Sequence, residues 1–136
     1  MNTQTGTTTP VDSAVDGKPA PIDWSILDAM KVLQKPDKPD VRRKLMSVYI
    51  SSAPPLMDAI KAAVGNGDAL ALKDAAHSMK SSSLSIGALK FGKTCGELEQ
   101  LGRDNSLADA SALLVRAESE FIAAYSAFLD ALEQDR

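Results

Sequence analysis

The sequence predicts an all-α protein: an antiparallel up-down four-helix bundle with a short additional N-terminal helix. Three observations carry that prediction. Aromatic residues make up only 4% of the 136-residue chain while alanine and leucine are abundant, a composition that suits helices better than strands. No stretch alternates apolar and polar residues with the period of two that a half-buried strand requires. From Pro21 onward, apolar residues recur at spacings of three and four, punctuated by Gly, Asn and Pro.

With 44% hydrophobic and 24% charged residues, the chain has apolar material for one ordinary core and is short for two. Residues 1–20 are rich in Thr, Gly, Pro and Asp and contain no apolar run, so they read as a disordered tail, leaving 21–136 as the folded domain. The tail lacks the basic start and hydrophobic centre of a secretory signal, and nothing later reaches the roughly eighteen apolar residues of a membrane span. A cytoplasmic protein is expected. The single cysteine excludes an internal disulfide and agrees with a reducing compartment. A net charge of -3 without a long basic block argues against nucleic acid, whose phosphate backbone demands clustered Lys and Arg.

Each helix has its own signals. Asp23 is placed to cap a first short helix, 24–35, on which Trp24, Leu27, Met30 and Leu33 share a side. Lys35-Pro36-Asp37-Lys38-Pro39 stops it, and Pro39 suits the first turn of a second helix over 39–64. The stripe assigned to that helix is Val41, Leu45, Val48, Ser52, Leu56, Ala59 and Ala63, with a kink or short break expected at Ser52 to Pro55 because Pro54-Pro55 interrupts the hydrogen-bond ladder. Gly65-Asn66-Gly67 ends it and Asp68 caps a third helix, 69–85. Gly87 turns the chain into a fourth, 88–103, with Phe91, Cys95, Leu98 and Gly102 inward. Ser106 and Asp109 resemble a capping box before the last helix, 107–133, whose stripe is Leu107, Ala110, Leu114, Ala117, Phe121, Ala124, Phe128 and Ala131. Loops this short make successive helices antiparallel neighbours, and a core closed by its own helices predicts a monomer.

The third helix carries the chemistry. At about 100° per residue, Leu72, Ala76, Met79, Ser83 and Ile86 form its core stripe. His77, the only histidine, falls roughly 140° from the centre of that stripe, among Leu70, Lys73, Lys80, Ser81 and Leu84. It is therefore expected to point outward. An imidazole in water titrates at about 6.5, so near neutrality one ring nitrogen carries a free lone pair and is a nucleophile. Lys80, one turn on, is placed to neutralise a phosphoryl group on the ring, and small Ser81 leaves the face of His77 accessible.

The run His77, Met79, Lys80, Ser81, Ser82, Ser83, Ile86, Gly87, Ala88, continuing through Cys95, Leu98, Glu99, Leu101, Gly102 and Arg103, resembles the signature of the histidine-containing phosphotransfer (HPt) domain family. The likeness covers about a hundred residues, from near Ile22 to the C-terminus, and its specific part is residues 77–103. One departure is Ser81, where the family more often has glycine. The resemblance implies a carrier, a phosphotransfer protein rather than a turnover enzyme, in which His77 takes a phosphoryl group from an aspartate on one receiver domain and passes it to another. It implies response-regulator receiver domains and a hybrid histidine kinase as partners, with magnesium held by the receiver and no cofactor or metal in this chain. It also places Arg103 near the phosphohistidine. A tail starting at Met1 fits a free-standing carrier, a domain cut from a larger sensor kinase being the alternative.

Leu70 and Leu84 on the third helix, and Met46, Ile50 and Met57 on the second, are apolar residues off the assigned stripes. With Lys73 and Lys80 they form a candidate docking patch for a receiver, hydrophobic at its centre and basic toward the receiver's acidic pocket. The pattern equally allows the first helix to cover Met46, Ile50 and Met57. Cys95 lies on an inner stripe and reads as a buried thiol, and Glu99 with Arg103 reads as a solvated ion pair. The competing functional class is a non-catalytic adaptor, a helix bundle that binds a receiver or histidine kinase without accepting phosphate.

Overall fold

The structure, a computed structural model, describes residues 20–134; the tail expected over residues 1–20 falls almost wholly outside them. Helix α1, Trp24–Ala29, starts at Asp23, whose side chain accepts from the Ser25 N–H, and runs into a 3₁₀ turn, Met30–Leu33. Gln34 then organises the proline-rich loop. Its Nε2 donates to the carbonyls of Lys35, Lys38 and Pro39, and its Oε1 accepts from the Val41 N–H at 2.7 Å. Helices α2, Val41–Asn66, and α3, Ala69–Ile86, are capped by Asp40 and Asp68 and end on Gly67 and Gly87 in the left-handed conformation. Helix α4, Leu89–Arg103, and α5, Ala110–Gln134, complete the bundle. Around it α2 packs on α3, α3 on α4, α4 on α5 and α5 back on α2, while α1 leans on α3.

The stripes predicted for α3, α4 and α5 are the ones that form the core. Leu72, Ala76, Met79, Ser83 and Ile86 are all buried, as are Phe91, Cys95, Leu98 and Gly102. On α5, Ala110, Ala117, Ala124 and Phe128 are buried and the remaining members half-buried. Burial pushes the Cys95 thiol up to about 12, as expected of an inert core cysteine. The last helix starts at Ala110 rather than 107: Asn105 turns the chain at φ 52°, and Ser106 and Asp109 precede the helix instead of boxing its first turn.

Helix α2 is rotated by about one residue, roughly 100°, from the predicted stripe. Met46, Tyr49, Ala53, Met57, Ile60 and Ala63 are buried, whereas Val48 is 53% exposed and Ser52 and Ala59 face out. The physical reason is size. The stripe beginning at Met46 buries two methionines, a tyrosine and an isoleucine, against the valine, serine and alanine it turns outward, and buried apolar area decides the choice. Tyr49 takes the inner position without orphaning its hydroxyl, which hydrogen-bonds Ser83 Oγ at 2.7 Å, and its ring meets Phe128 edge-on at 5.3 Å. Of the kink or short break expected at Pro54 and Pro55, the break does not occur: the helix runs on through both prolines. Two prolines remove two ladder hydrogen bonds, and the packing of Ala53, Met57 and Ile60 on either side holds the segment helical.

Two glycines set how closely the elements approach. At Gly87, a Cβ would sit 2.6 Å from the Asp23 carbonyl, and its own carbonyl accepts from the Asp23 N–H at 2.8 Å, pinning the start of α1 over the α3–α4 turn. At Gly102, a Cβ would lie 2.7 Å from both Ala69 O and Lys73 N, so α4 meets the backbone of α3 there. Gly65, by contrast, has nothing within 4 Å of its missing Cβ. Gly102→Ala is expected to destabilise the protein by about 1–3 kcal/mol, whereas Gly65→Ala should stabilise it by about 0.5–1 kcal/mol through helix propensity. Urea unfolding of the two variants checks both signs.

Candidate functional site

Two antiparallel helices build the site. The glycine turn between α3 and α4 is short, so the middle of α3 lies beside the C-terminal half of α4, and His77 faces Glu99 and Arg103. The His77 side chain is 59% exposed, which places it outward as its position on the helix predicts. The unexpected member is Glu99. Instead of a solvated partner for Arg103, it is a carboxylate whose side chain is only 5% exposed and which collects three cationic or N–H groups. Lys80 Nζ lies 2.7 Å from Oε1, Arg103 Nη2 donates to Oε2 at 2.6 Å, and His77 Nδ1 is 3.0 Å from the same Oε2. The sequence carried a signal for this. Cys95, Leu98, Glu99 and Gly102 share the i, i+3, i+4, i+7 spacing of one inner face, and an acid in that row must be buried with partners.

The electrostatics follow from the geometry. The Lys80 ammonium, and after it the His77 ring, hold the Glu99 carboxyl below its ordinary value, against burial, which pushes the other way. Glu99 is therefore ionised near neutrality. An ionised carboxylate only accepts, so the ring nitrogen that faces it, Nδ1, is the one that carries the proton. The lone pair of the neutral ring is left on Nε2. Lys80 reaches Glu99 across Gly96, where a Cβ would come within 3.3 Å of the lysine Cδ. Around the ring lies an open cleft of about 420 Å³ lined by Lys73, Asp74, His77, Ser78, Glu99 and Arg103. Ser81, one turn beyond His77, is exposed and leaves that side open.

The candidate docking residues divide. Leu70 is 64% exposed and Leu84 is 38% exposed, lying against Gly92 on α4, so both face outward on the helix of His77; Lys73 is half-buried beside Asp74. Met46 and Met57 do not join them. They are 4% and 5% exposed and belong to the core, because α2 is rotated from the predicted stripe, and Ile50 is half-buried at the edge of that core.

A family model for the Hpt domain matches residues 44–135. Among solved structures, the chain is similar to the crystal structure of histidine-containing phosphotransfer protein B (HptB) from Pseudomonas aeruginosa PAO1. The two share 28% identity, with 85% of this chain and 97% of that one covered, at a TM-score of 0.77. No curated protein matches the chain.

The buried carboxylate makes stability depend on pH with a definite sign. Because its folded pKa lies below the ordinary 4.5, Glu99 contributes stability that is fully present above that value and is lost as pH falls through the lowered folded value. Glu99→Gln should cost about 1–3 kcal/mol at neutral pH. The gap to the wild type should close in acid, as the wild-type carboxyl takes up its proton. Denaturant unfolding of both proteins across the acid range measures it.

Proposed function

The chain belongs to the Hpt domain family, and from that premise we propose that His77 is the phosphoacceptor of a phosphotransfer protein that carries a phosphoryl group between receiver-domain aspartates. The observation that carries this reading is the His77–Glu99 pair. A nucleophile must be accessible and in the right tautomer, and an outward ring with Nδ1–H held on a buried carboxylate meets both conditions.

In the step itself the Nε2 lone pair attacks phosphorus in line. The P–N bond forms as the P–O bond to the receiver's aspartyl oxygen breaks, and the aspartate leaves as a free carboxylate. The ring gains a positive charge, which Glu99 balances through the retained Nδ1–H hydrogen bond. No proton has to move during transfer, so the reverse step to a second receiver follows the same path. Lys80 and Arg103 are held on Glu99 before transfer; both have flexible stems and are 32% and 55% exposed, so each can turn toward the phosphoryl oxygens. Ser81 supplies clearance, and magnesium belongs to the receiver's acidic pocket. Leu70 and Leu84, with Lys73 beside them, form the docking surface on α3.

Incubation with a phosphorylated receiver domain and magnesium should transfer label to the protein in an acid-labile, base-stable form. His77→Gln should abolish the label while circular dichroism and receiver binding are retained, since an exposed side chain contributes little to the fold. Lys80→Ala should slow transfer about tenfold, the equivalent of one charge-assisted contact. Receivers that bind but never label the wild type would instead support the adaptor reading.

Docking is tested separately. Leu70→Glu should weaken receiver binding about tenfold with an unchanged thermal midpoint, because the side chain is already 64% exposed. Calorimetric titration of receiver into the variant, alongside a melting curve, reads both quantities.

A further inference from the structure

A second cleft, of about 800 Å³, lies on the other flank of α4, between it, α5 and the start of α1, and shares no lining residue with the cleft at His77. Its volume is that of a small-molecule site, about 300–1,000 Å³. Ile22, Trp24 and Leu89 form an apolar wall, and Trp24 and Leu89 remain 40% and 39% exposed.

The charges in this cleft do not all cancel internally. Arg116 is satisfied, its Nη2 donating to Glu97 Oε2 at 2.8 Å and to Thr94 Oγ1 at 3.4 Å. Asp23 is occupied by the N–H and hydroxyl of Ser25. What remains is one acid and two bases. The Glu120 side chain is only 10% exposed, its Oε2 is 3.8 Å from Arg116 Nε, and its Oε1 is buried with no hydrogen-bond partner among the described residues. Lys90 and Lys93 line the cleft and have no ion pair among the described residues. A buried carboxylate oxygen without a donor is unfavourable as it stands, and the terminal torsion of a glutamate is soft enough to turn it toward one.

We propose that this cleft binds a small zwitterion with an apolar body, an apolar α-amino acid or a short peptide of such residues. The ligand's ammonium donates to Glu120, its carboxylate meets Lys90 and Lys93, and its side chains lie on Trp24 and Leu89. An anion alone would face Glu120, which has only the loose Arg116 contact to offset it, and a cation alone would meet two lysines, so the charge pattern selects a ligand carrying both signs.

Trp24 is the only tryptophan and stands in the cleft wall, so its emission reports occupancy directly. L-leucyl-L-leucine titrated into the full chain to millimolar concentrations should give a saturable blue shift. The same peptide acetylated at its N-terminus and amidated at its C-terminus should give none. Glu120→Gln should weaken binding about tenfold, and the double variant Lys90→Ala, Lys93→Ala, which leaves the core untouched, should do the same. Absence of a saturable shift, an equal response to the blocked peptide, or undiminished binding by the lysine variant would each overturn the proposal.

Discussion

A carboxylate taken out of water must be paired, and in this bundle Glu99 imposes that condition on everything around it. Its side chain is 5% exposed, so three groups have to converge on it: Lys80 and His77 from α3 and Arg103 from its own helix. That convergence requires the two helices to run antiparallel in one register. The left-handed Gly87 provides the short turn, and the close approach at Gly102 brings the far ends of the same two helices into backbone contact. A register shifted by one residue would swing Glu99 away from His77 and leave a buried charge without partners, which is far costlier than any gain the shift offered elsewhere. The same pairing that chooses the tautomer of the ring therefore also helps to fix how α3 and α4 meet.

For the phosphoacceptor role proposed for His77, this arrangement resolves a conflict inherent in an exposed nucleophile. An imidazole open to a partner protein would ordinarily be free to rotate and to exchange tautomers, and either motion would have to be stopped when the partner arrives. Anchoring Nδ1 on a carboxylate that is itself held by two cations stops both beforehand, while Nε2 stays in the open cleft. Lys80 and Arg103 have a double use in this picture. They hold Glu99 ionised and in place, and they stand beside the ring as a ready supply of positive charge for whatever anion the ring takes up.

What could be read from the sequence was whatever a single helix encodes by spacing. The inner faces of α3, α4 and α5, the outward direction of His77, the caps at Asp23 and Asp68 and the Gly87 turn are all local, and they stand in the structure as predicted. Helix α2 was harder because two stripes one residue apart both look apolar: Tyr49 and Met57 take the buried positions, Val48 is exposed, and Leu45 and Leu56 of the predicted stripe pack half-buried at the edge of the core. Tyr49 is also polar at its tip, and its partner, Ser83, lies on another helix, so no local pattern announces that it belongs inside. Glu99 was misjudged for a related reason. Its spacing from Arg103 suggested an ordinary surface pair, whereas its place in the row of Cys95, Leu98 and Gly102 pointed inward, and the second signal was the stronger one.

The same logic explains why α4 carries two distinct polar environments on opposite flanks. A helix between two neighbours has its apolar face in the core and two shoulders, and acids on those shoulders are forced to find cations from whichever neighbour is near. Toward α3 the available cations are Lys80 and the helix's own Arg103: Arg103 and His77 hydrogen-bond Glu99 Oε2, and Lys80 neutralises Oε1 by an ion-pair contact at 2.7 Å. Toward α5, Glu97 of α4 is met by Arg116, which spends its hydrogen bonds on Glu97 and Thr94 and leaves Glu120, on α5 itself, with a loose contact at 3.8 Å. One shoulder is thus electrostatically closed except for the lone pair it presents, and the other is open by one carboxylate oxygen and two ammonium groups. A closed network with a single outward atom suits chemistry on that atom, while an open one suits a ligand that completes it.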